Sequence, residues 1–365
     1  MFKERNLNIK TCNSIRQINM KPFKILLLCL FLFSLQSCGG ADDGYITNQQ
    51  SETKKNESSQ NNNQNKGEDN EGQEGDEGEN DKNNTSEQNI EQNEGESGNN
   101  QDKTLNILAI GNSFTEDGTA YLPSLVKNAG IKNVTIAKMV IGGTSLLSHH
   151  THALKNDTVY NFYVSTDGNF KSQGKKCFYD CLLLETWDFV ILQQVSQHSG
   201  MYRTYQPYLN NLINIIHSYY PQAVIAWQMT WAYSSTSTHT GFKNYDNNQA
   251  IMYESILDAV NQMKAETGLS VIIPTGMVIQ ELRSTSINNY LELTRDGYHL
   301  DYGAGRYAAA CTWFETLIRP KFQIGIKGNT LRANTGNVPV TDEVALLCQE
   351  IAEKVVKNYY GNKED

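Results

Sequence analysis

Five short, almost unbroken apolar runs constrain this chain more than any other feature. They are LNILAIG from Leu105, VTIAKMVIGG from Val134, FVILQ from Phe189, AVIAWQMT from Ala223 and LSVIIPTG from Leu269. Apolar runs this short, bounded by polar and Gly-containing stretches, have strand character. Strands that are apolar on both faces belong to a parallel sheet covered on both sides. Helical patterns fill the gaps. One covers 121–129, and a stronger one covers 205–219, with Tyr208, Leu209, Leu212, Ile213 and Ile216 on one face. A third covers 247–267 and is closed by Gly268, the residue that best accepts a left-handed cap. A last helix is expected after Thr341-Asp342-Glu343, where an apolar periodic run begins. Strands alternating with helices predict an α/β domain over 104–365, a three-layer α/β/α arrangement around a central parallel five-stranded sheet.

The hundred residues before this domain are of another kind. Lys21 and Lys24 precede ILLLCLFLFSL, eleven residues that are too few for a membrane-spanning helix, which needs roughly 20. They suit the apolar core of an export signal, with Met20 as the expected true start. The string Leu35-Gln36-Ser37-Cys38 resembles a bacterial lipobox, which makes Cys38 the lipidation site and 1–38 a lipoprotein signal peptide. The GGADDG that follows resembles the acidic sorting signal of surface-exposed lipoproteins. The expected location is therefore the outer membrane, surface-exposed or else facing the periplasm.

Residues 39–103 are mostly Asn, Gln, Glu, Gly and Ser. Such a segment has too little apolar surface to offset its conformational entropy, so it is expected to be a disordered tether. Positions 41–102 hold seventeen Asp and Glu against four Lys, whereas the whole chain carries −9. The acidity belongs to the tether, and 103–365 is close to neutral. With no basic stripe in the domain, nucleic acid is not an expected partner. Cys177, Cys181, Cys311 and Cys348 fall in the domain, and their spacing leaves a Cys177–Cys181 disulfide and packed thiols equally open.

Polar residues with chemical potential sit where the strands end, the usual place of function in open parallel sheets. Gly111-Asn112-Ser113 follows the first run, Ile141-Gly142-Gly143 the second, and Gln193-Gln194-Val195-Ser196-Gln197-His198 the third. Asp296-Gly297-Tyr298-His299 comes well after the fifth. Ser113 alone reads more readily as a helix cap than as a nucleophile. As a nucleophile it needs a base, and His299 is the histidine with an acid three residues before it, close enough to orient one ring nitrogen. The plain alternative for Asp-Gly-Tyr-His is a surface turn.

These blocks together resemble the SGNH, or GDSL-like, hydrolases over about 104–320. GNSF at 111–114 matches their first block, IGGTSL at 141–146 their second and DGYH at 296–299 their last. The resemblance implies a flavodoxin-like fold and a serine esterase. Ser113 would attack an ester carbonyl, with His299 as base and Asp296 as its orienting acid. The backbone N–H groups of Ser113 and Gly143 would form the oxyanion hole with a side-chain donor from the third block. That block departs from the family pattern, having neither Gly nor Asn, and Gln194 or Ser196 is expected to substitute.

Asn112, His198, Trp231 and Tyr233 are expected to line the substrate. Aromatic faces beside the polar SSTSTHTG favour an acylated carbohydrate, most simply an O-acetylated polysaccharide, and no cofactor is called for. The competing readings are a lipid or thioester hydrolase and a non-catalytic glycan-binding lipoprotein on a degenerate scaffold. A metal site at His149, His150, His152 and Asp157 is weighed and set aside, because adjacent histidines rarely reach one ion and no HExxH spacing occurs.

Overall fold

A computed structural model describes residues 103–361. The export segment, Cys38, most of the acidic tether and the last four residues lie outside the described residues. From the start of the domain the elements are β1 (Leu105–Gly111), α1 (Ser113–Thr119), α2 (Leu122–Asn128), β2 (Val134–Val140) and α3 (Leu146–Lys155). Then come β3 (Tyr160–Ser165), β4 (Lys171–Lys176), α4 (Phe178–Leu182), β5 (Phe189–Leu192) and α5 (Tyr208–Tyr219). They continue as β6 (Val224–Gln228), α6 (Gln249–Thr267), β7 (Val271–Ile273) and α7 (Thr275–Leu282). The chain ends with α8 (Ala304–Trp313), α9 (Arg319–Phe322) and α10 (Asp342–Tyr360).

The strands form one seven-stranded sheet in the order β4-β3-β2-β1-β5-β6-β7. The five apolar runs are its five parallel strands, β2, β1, β5, β6 and β7. Their side chains are buried on both faces: Ile107, Leu108, Ala109, Ile136, Ala137, Val190 and Ile191 are all 2% exposed or less. Each buried Ile, Leu or Val among them contributes roughly 1.5–3 kcal/mol by leaving water. The sheet is wider than five strands because β3 and β4 add an antiparallel edge to β2. No apolar signal marks β4, which reads KSQGKK and is mostly exposed. Pairing with β3 alone makes it a strand, and its lysines suit an open edge.

Helices cover both faces. On one, α8 packs against α1, α2, α7 and α10; elsewhere α3 packs against α4 and α5. The β1–β2 and β5–β6 connections step away from β1 in opposite directions, so the right-handed rule for parallel crossovers expects α1 and α2 on one face and α5 on the other. Local sequence sets the helix ends. Asn248 accepts the Ala250 and Ile251 N–H groups to start α6, and Gly268 ends it at φ +72°. Thr341 caps α10 through the Val344 N–H. Strand order reverses at β1, whose neighbours are β2 on one side and β5 on the other. The crevice at such a switch point is where open α/β sheets carry their sites.

Candidate active site

Ser113 is the first residue of α1, immediately past β1. Asn112 before it adopts an extended conformation, and its side-chain oxygen accepts the Phe114 N–H at 2.9 Å. The cap therefore comes from Asn112, which leaves the Ser113 hydroxyl free for other work. That hydroxyl lies 2.8 Å from His299 Nε2, and His299 Nδ1 lies 2.7 Å from Asp296 Oδ2. Nδ1–H donating to the carboxylate leaves Nε2 to accept from the serine, the tautomer a general base requires.

The Asp296–His299 turn holds its own geometry. Asp296 Oδ1 accepts the N–H groups of His299 at 2.8 Å and Tyr298 at 3.2 Å, as Asp does in tight turns. Gly297 has φ +90°, and a Cβ there would meet Ser237 Cα at 2.9 Å, so the turn requires glycine. Burial raises the Asp296 carboxyl, but the ring and backbone bonds from His299, its charge and the Tyr298 N–H together hold it below the usual carboxylate range. A depressed folded pKa stabilises the protein above the unfolded value and loses that contribution as pH falls through the folded one. The difference in thermal midpoint between wild type and Asp296→Asn is therefore expected to be full at pH 7. It should shrink below about pH 4, the unperturbed carboxylate value; a difference that grows on acidification would contradict this.

Behind the turn lies Asp117, with no exposed surface. Its carboxylate accepts from Arg295 Nη1 at 3.1 Å, Arg306 Nε at 2.8 Å and the Leu300 N–H at 2.9 Å. It thus joins the helix bearing Ser113 to the turn bearing His299 and to α8.

Asn112 ties the strand-end loops together. Its Nδ2 donates to the Thr144 carbonyl at 3.0 Å, and its Oδ1 also accepts from Gln193 Nε2 at 2.8 Å. Gln193 Oε1 in turn accepts from Thr115 Oγ1 at 2.8 Å. Gly143 sits on the loop so tied, at φ +65°, where only the backbone conformation and no crowding calls for glycine. Neither its N–H nor that of Ser113 has a hydrogen-bond partner among the described residues. A helix's first N–H groups are unpaired by construction.

Several sequence expectations need correction. Gln194 is not free to meet an oxyanion: its Nε2 donates to Thr204 O and Oγ1, both at 3.1 Å, and its Oε1 accepts the Leu146 and Val195 N–H groups. Ser196 is 6% exposed, and its hydroxyl engages Tyr233 Oη at 2.8 Å. Asn112, Trp231 and Tyr233 are 1%, 0% and 0% exposed, so none presents a face to a ligand. Trp231 instead stacks on Phe114 at 4.1 Å and donates its indole N–H to the Tyr298 carbonyl at 2.7 Å, bracing the site from below. His198 is half-buried in the 3-10 turn after β5, where burial and then Arg203 lower its pKa.

The three neighbouring histidines diverge on α3. His149 is buried against Tyr160 Oη at 3.0 Å, and burial followed by His152 pushes its pKa down to about 3. His152 pairs with Asp157 at 2.9 Å, and His150 faces Tyr208. Among the described residues no group of three or more His, Cys, Asp or Glu gathers as a metal would need. Cys177, Cys181, Cys311 and Cys348 are all buried.

Because Gln194 serves as a strut, Gln194→Ala is expected to lower the thermal midpoint. It strips partners from the buried Leu146 and Val195 N–H groups, at about 1–3 kcal/mol for each. Activity should fall far less than the roughly 10²–10³-fold that loss of an oxyanion donor brings. A loss of that size with an unchanged midpoint would restore Gln194 to the oxyanion hole. The rim residues that sequence reasoning missed are Tyr298 and His239. Tyr298 packs on His299 at 4.2 Å between centroids, and His239 packs on Tyr298 at 4.7 Å.

A doubly covered α/β sheet gathers the blocks at Gly111–Ser113, Gly142–Gly143 and Asp296–His299 around its switch point. The chain belongs to the DUF4886 family, a domain of unknown function, which matches residues 106–344. A DUF4886 family protein from Bacteroides uniformis is 35% identical over 72% of this chain and 98% of its own, with a TM-score of 0.64. A candidate SGNH hydrolase from Slackia heliotrinireducens is 20% identical over 59% of this chain and 99% of its own, with a TM-score of 0.41. The acetylxylan esterase Axe2 from Geobacillus stearothermophilus is 14% identical over 58% of this chain and 94% of its own, at 0.38. Among curated proteins no match was found.

Proposed function

We propose that this protein is a serine esterase that removes acyl groups, most simply acetyl, from a hydroxylated, carbohydrate-type alcohol. The observation that carries the reading is the unbroken chain Ser113 Oγ–His299 Nε2 and His299 Nδ1–Asp296 Oδ2, at 2.8 and 2.7 Å. His299 takes the serine proton as Oγ attacks the carbonyl carbon, then returns it to the departing alkoxide. Asp296 stays ionised and stabilises the imidazolium. Water enters by the same route, regenerating Ser113 and releasing the acid. The unpartnered N–H groups of Ser113 and Gly143 are the donors for the oxyanion, both from the backbone.

The surroundings support a polar alcohol. The His299 and Asp296 side chains are 18% and 37% exposed, so the bond to be cut is approached from the surface. The nearby Ser234–Thr240 stretch carries hydroxyls and one imidazole, with Ser234 N–H bonded to the Gly297 carbonyl at 2.8 Å. The test is acetate release from an O-acetylated polysaccharide, compared with fatty-acid release from long-chain acyl esters. Faster release of acetate is expected. Preference for the long-chain ester would replace the substrate class, and no turnover of either or of p-nitrophenyl acetate would remove the enzyme.

A further inference from the structure

The loop after β6 brings a second histidine to the site. His239 starts a 3-10 turn, Thr240–Tyr245, and its Nδ1 accepts the Gly241 N–H at 3.0 Å. A neutral imidazole that accepts at Nδ1 carries its proton on Nε2. That Nε2–H has no partner among the described residues, although the ring is partly exposed. Burial first and the neighbouring His299 second lower the His239 pKa, against a smaller opposing effect of Asp296, which favours this neutral form.

The ring is firmly held. Tyr298 meets it edge-on at 4.7 Å and Tyr233 lies 4.9 Å away, while Tyr298 itself lies 4.2 Å from His299. Tyr233 Oη is bonded to Ser196, so one aromatic series runs from the third block to His299. The turn is fixed from the other side as well. Asn244 Nδ2 and Tyr245 Oη both donate to the Gln197 carbonyl, at 3.1 and 3.2 Å. Gly241 lies so close that a Cβ there would come within 2.3 Å of Gln197 Cβ. Such a donor, fixed beside reacting groups and bonded to nothing in the protein, is a recognition element in search of an acceptor.

Building on the esterase reading above, we propose that His239 and Tyr298 form the subsite for the alcohol portion of the ester. The His239 Nε2–H donates to a hydroxyl or ring oxygen of a sugar-type leaving group, and the Tyr298 ring covers its apolar face. Sites built to hydrogen-bond a substrate oxygen discriminate strongly against analogues that lack it, because the donor is then left unpaired. A nitrophenyl leaving group offers no such oxygen at its ring.

The experiment compares full-chain wild type, His239→Asn and His239→Phe on a mono-O-acetylated glucose and on p-nitrophenyl acetate. Asparagine places Oδ1 near the position of Nδ1, so it can still accept the Gly241 N–H, but it has nothing at Nε2. Phenylalanine keeps the ring contacts and loses both nitrogens. In both variants the ratio of kcat/KM for acetylglucose to that for p-nitrophenyl acetate is expected to fall at least tenfold, mainly through KM. A ratio within twofold of wild type overturns the subsite, whether activity is lost in parallel or retained. So does a wild type that cleaves p-nitrophenyl acetate but not acetylglucose. Absence of any cleavage by wild type counts instead against the esterase reading on which the subsite rests.

Discussion

Replacing Ser113 with alanine is expected to lower kcat for ester hydrolysis by roughly 10⁴–10⁶-fold, the scale on which triad serines act. The fold should survive intact. Among the described residues the Ser113 side chain bonds only to His299, while the cap of α1 is supplied by Asn112 and the links between loops by Asn112 and Gln193. Alanine is also well tolerated in a helix. Activity and stability therefore separate cleanly at this position: initial rates collapse while the thermal midpoint stays within a few degrees. Rates within tenfold of wild type would remove Ser113 as nucleophile. A collapse of both together would mean that the residue is structural.

Asp117→Asn is expected to have the opposite signature, lowering stability and activity together. The carboxylate has no exposure and faces two guanidinium groups, those of Arg295 and Arg306, whose side chains are 20% and 23% exposed. Removing one partner of a buried ion pair typically costs about 3–5 kcal/mol. At roughly 2–4 °C per kcal/mol for a domain of this size, the thermal midpoint should drop by about 6–20 °C. The Leu300 N–H, the next backbone donor after His299, bonds to the same carboxylate. Loosening it shifts the imidazole relative to Ser113, and a displacement of about 1 Å is enough to cost roughly 100-fold in rate. A variant with wild-type midpoint and rate would show that the Asp117 cluster neither braces the turn nor supports the fold.

These two positions also mark what the sequence could and could not disclose. Ser113 stood out as a polar residue directly after an apolar run, His299 stood out through the acid three residues before it, and Gly143 entered only through the resemblance to the SGNH hydrolases. The five parallel strands were legible for a related reason, since strands buried on both faces leave long apolar runs. Asp117 gave no comparable signal. It reads as an ordinary acid near a helix start, and its partners are 178 and 189 residues away. β4 was hidden because its strand character depends on a neighbour and not on its own lysines.

Trp231 and Tyr233 were misread for a physical reason. Beyond the end of β6 the chain turns inward under α1 before it reaches the surface at Ser235, so aromatics that look peripheral in sequence are core. The third block was misread by analogy. The Gln194 amide or the Ser196 hydroxyl was expected to serve the oxyanion, whereas Gln193 and Gln194 spend their hydrogen bonds holding loops together and Ser196 is bonded to Tyr233. Composition identified neither His239 nor Tyr298 as rim residues, since their places depend on how the β6 loop packs on Gly297.

The most direct test of the central claim is to treat the protein with a fluorophosphonate and map the adduct by mass spectrometry of the digested chain. An activated serine displaces fluoride and forms a stable Oγ–P bond, whereas unactivated hydroxyls react far more slowly. One adduct is expected, on Ser113, and it should be lost when His299 is replaced by alanine. No adduct on Ser113 in a protein that still cleaves esters, or an equal yield without His299, would contradict the account.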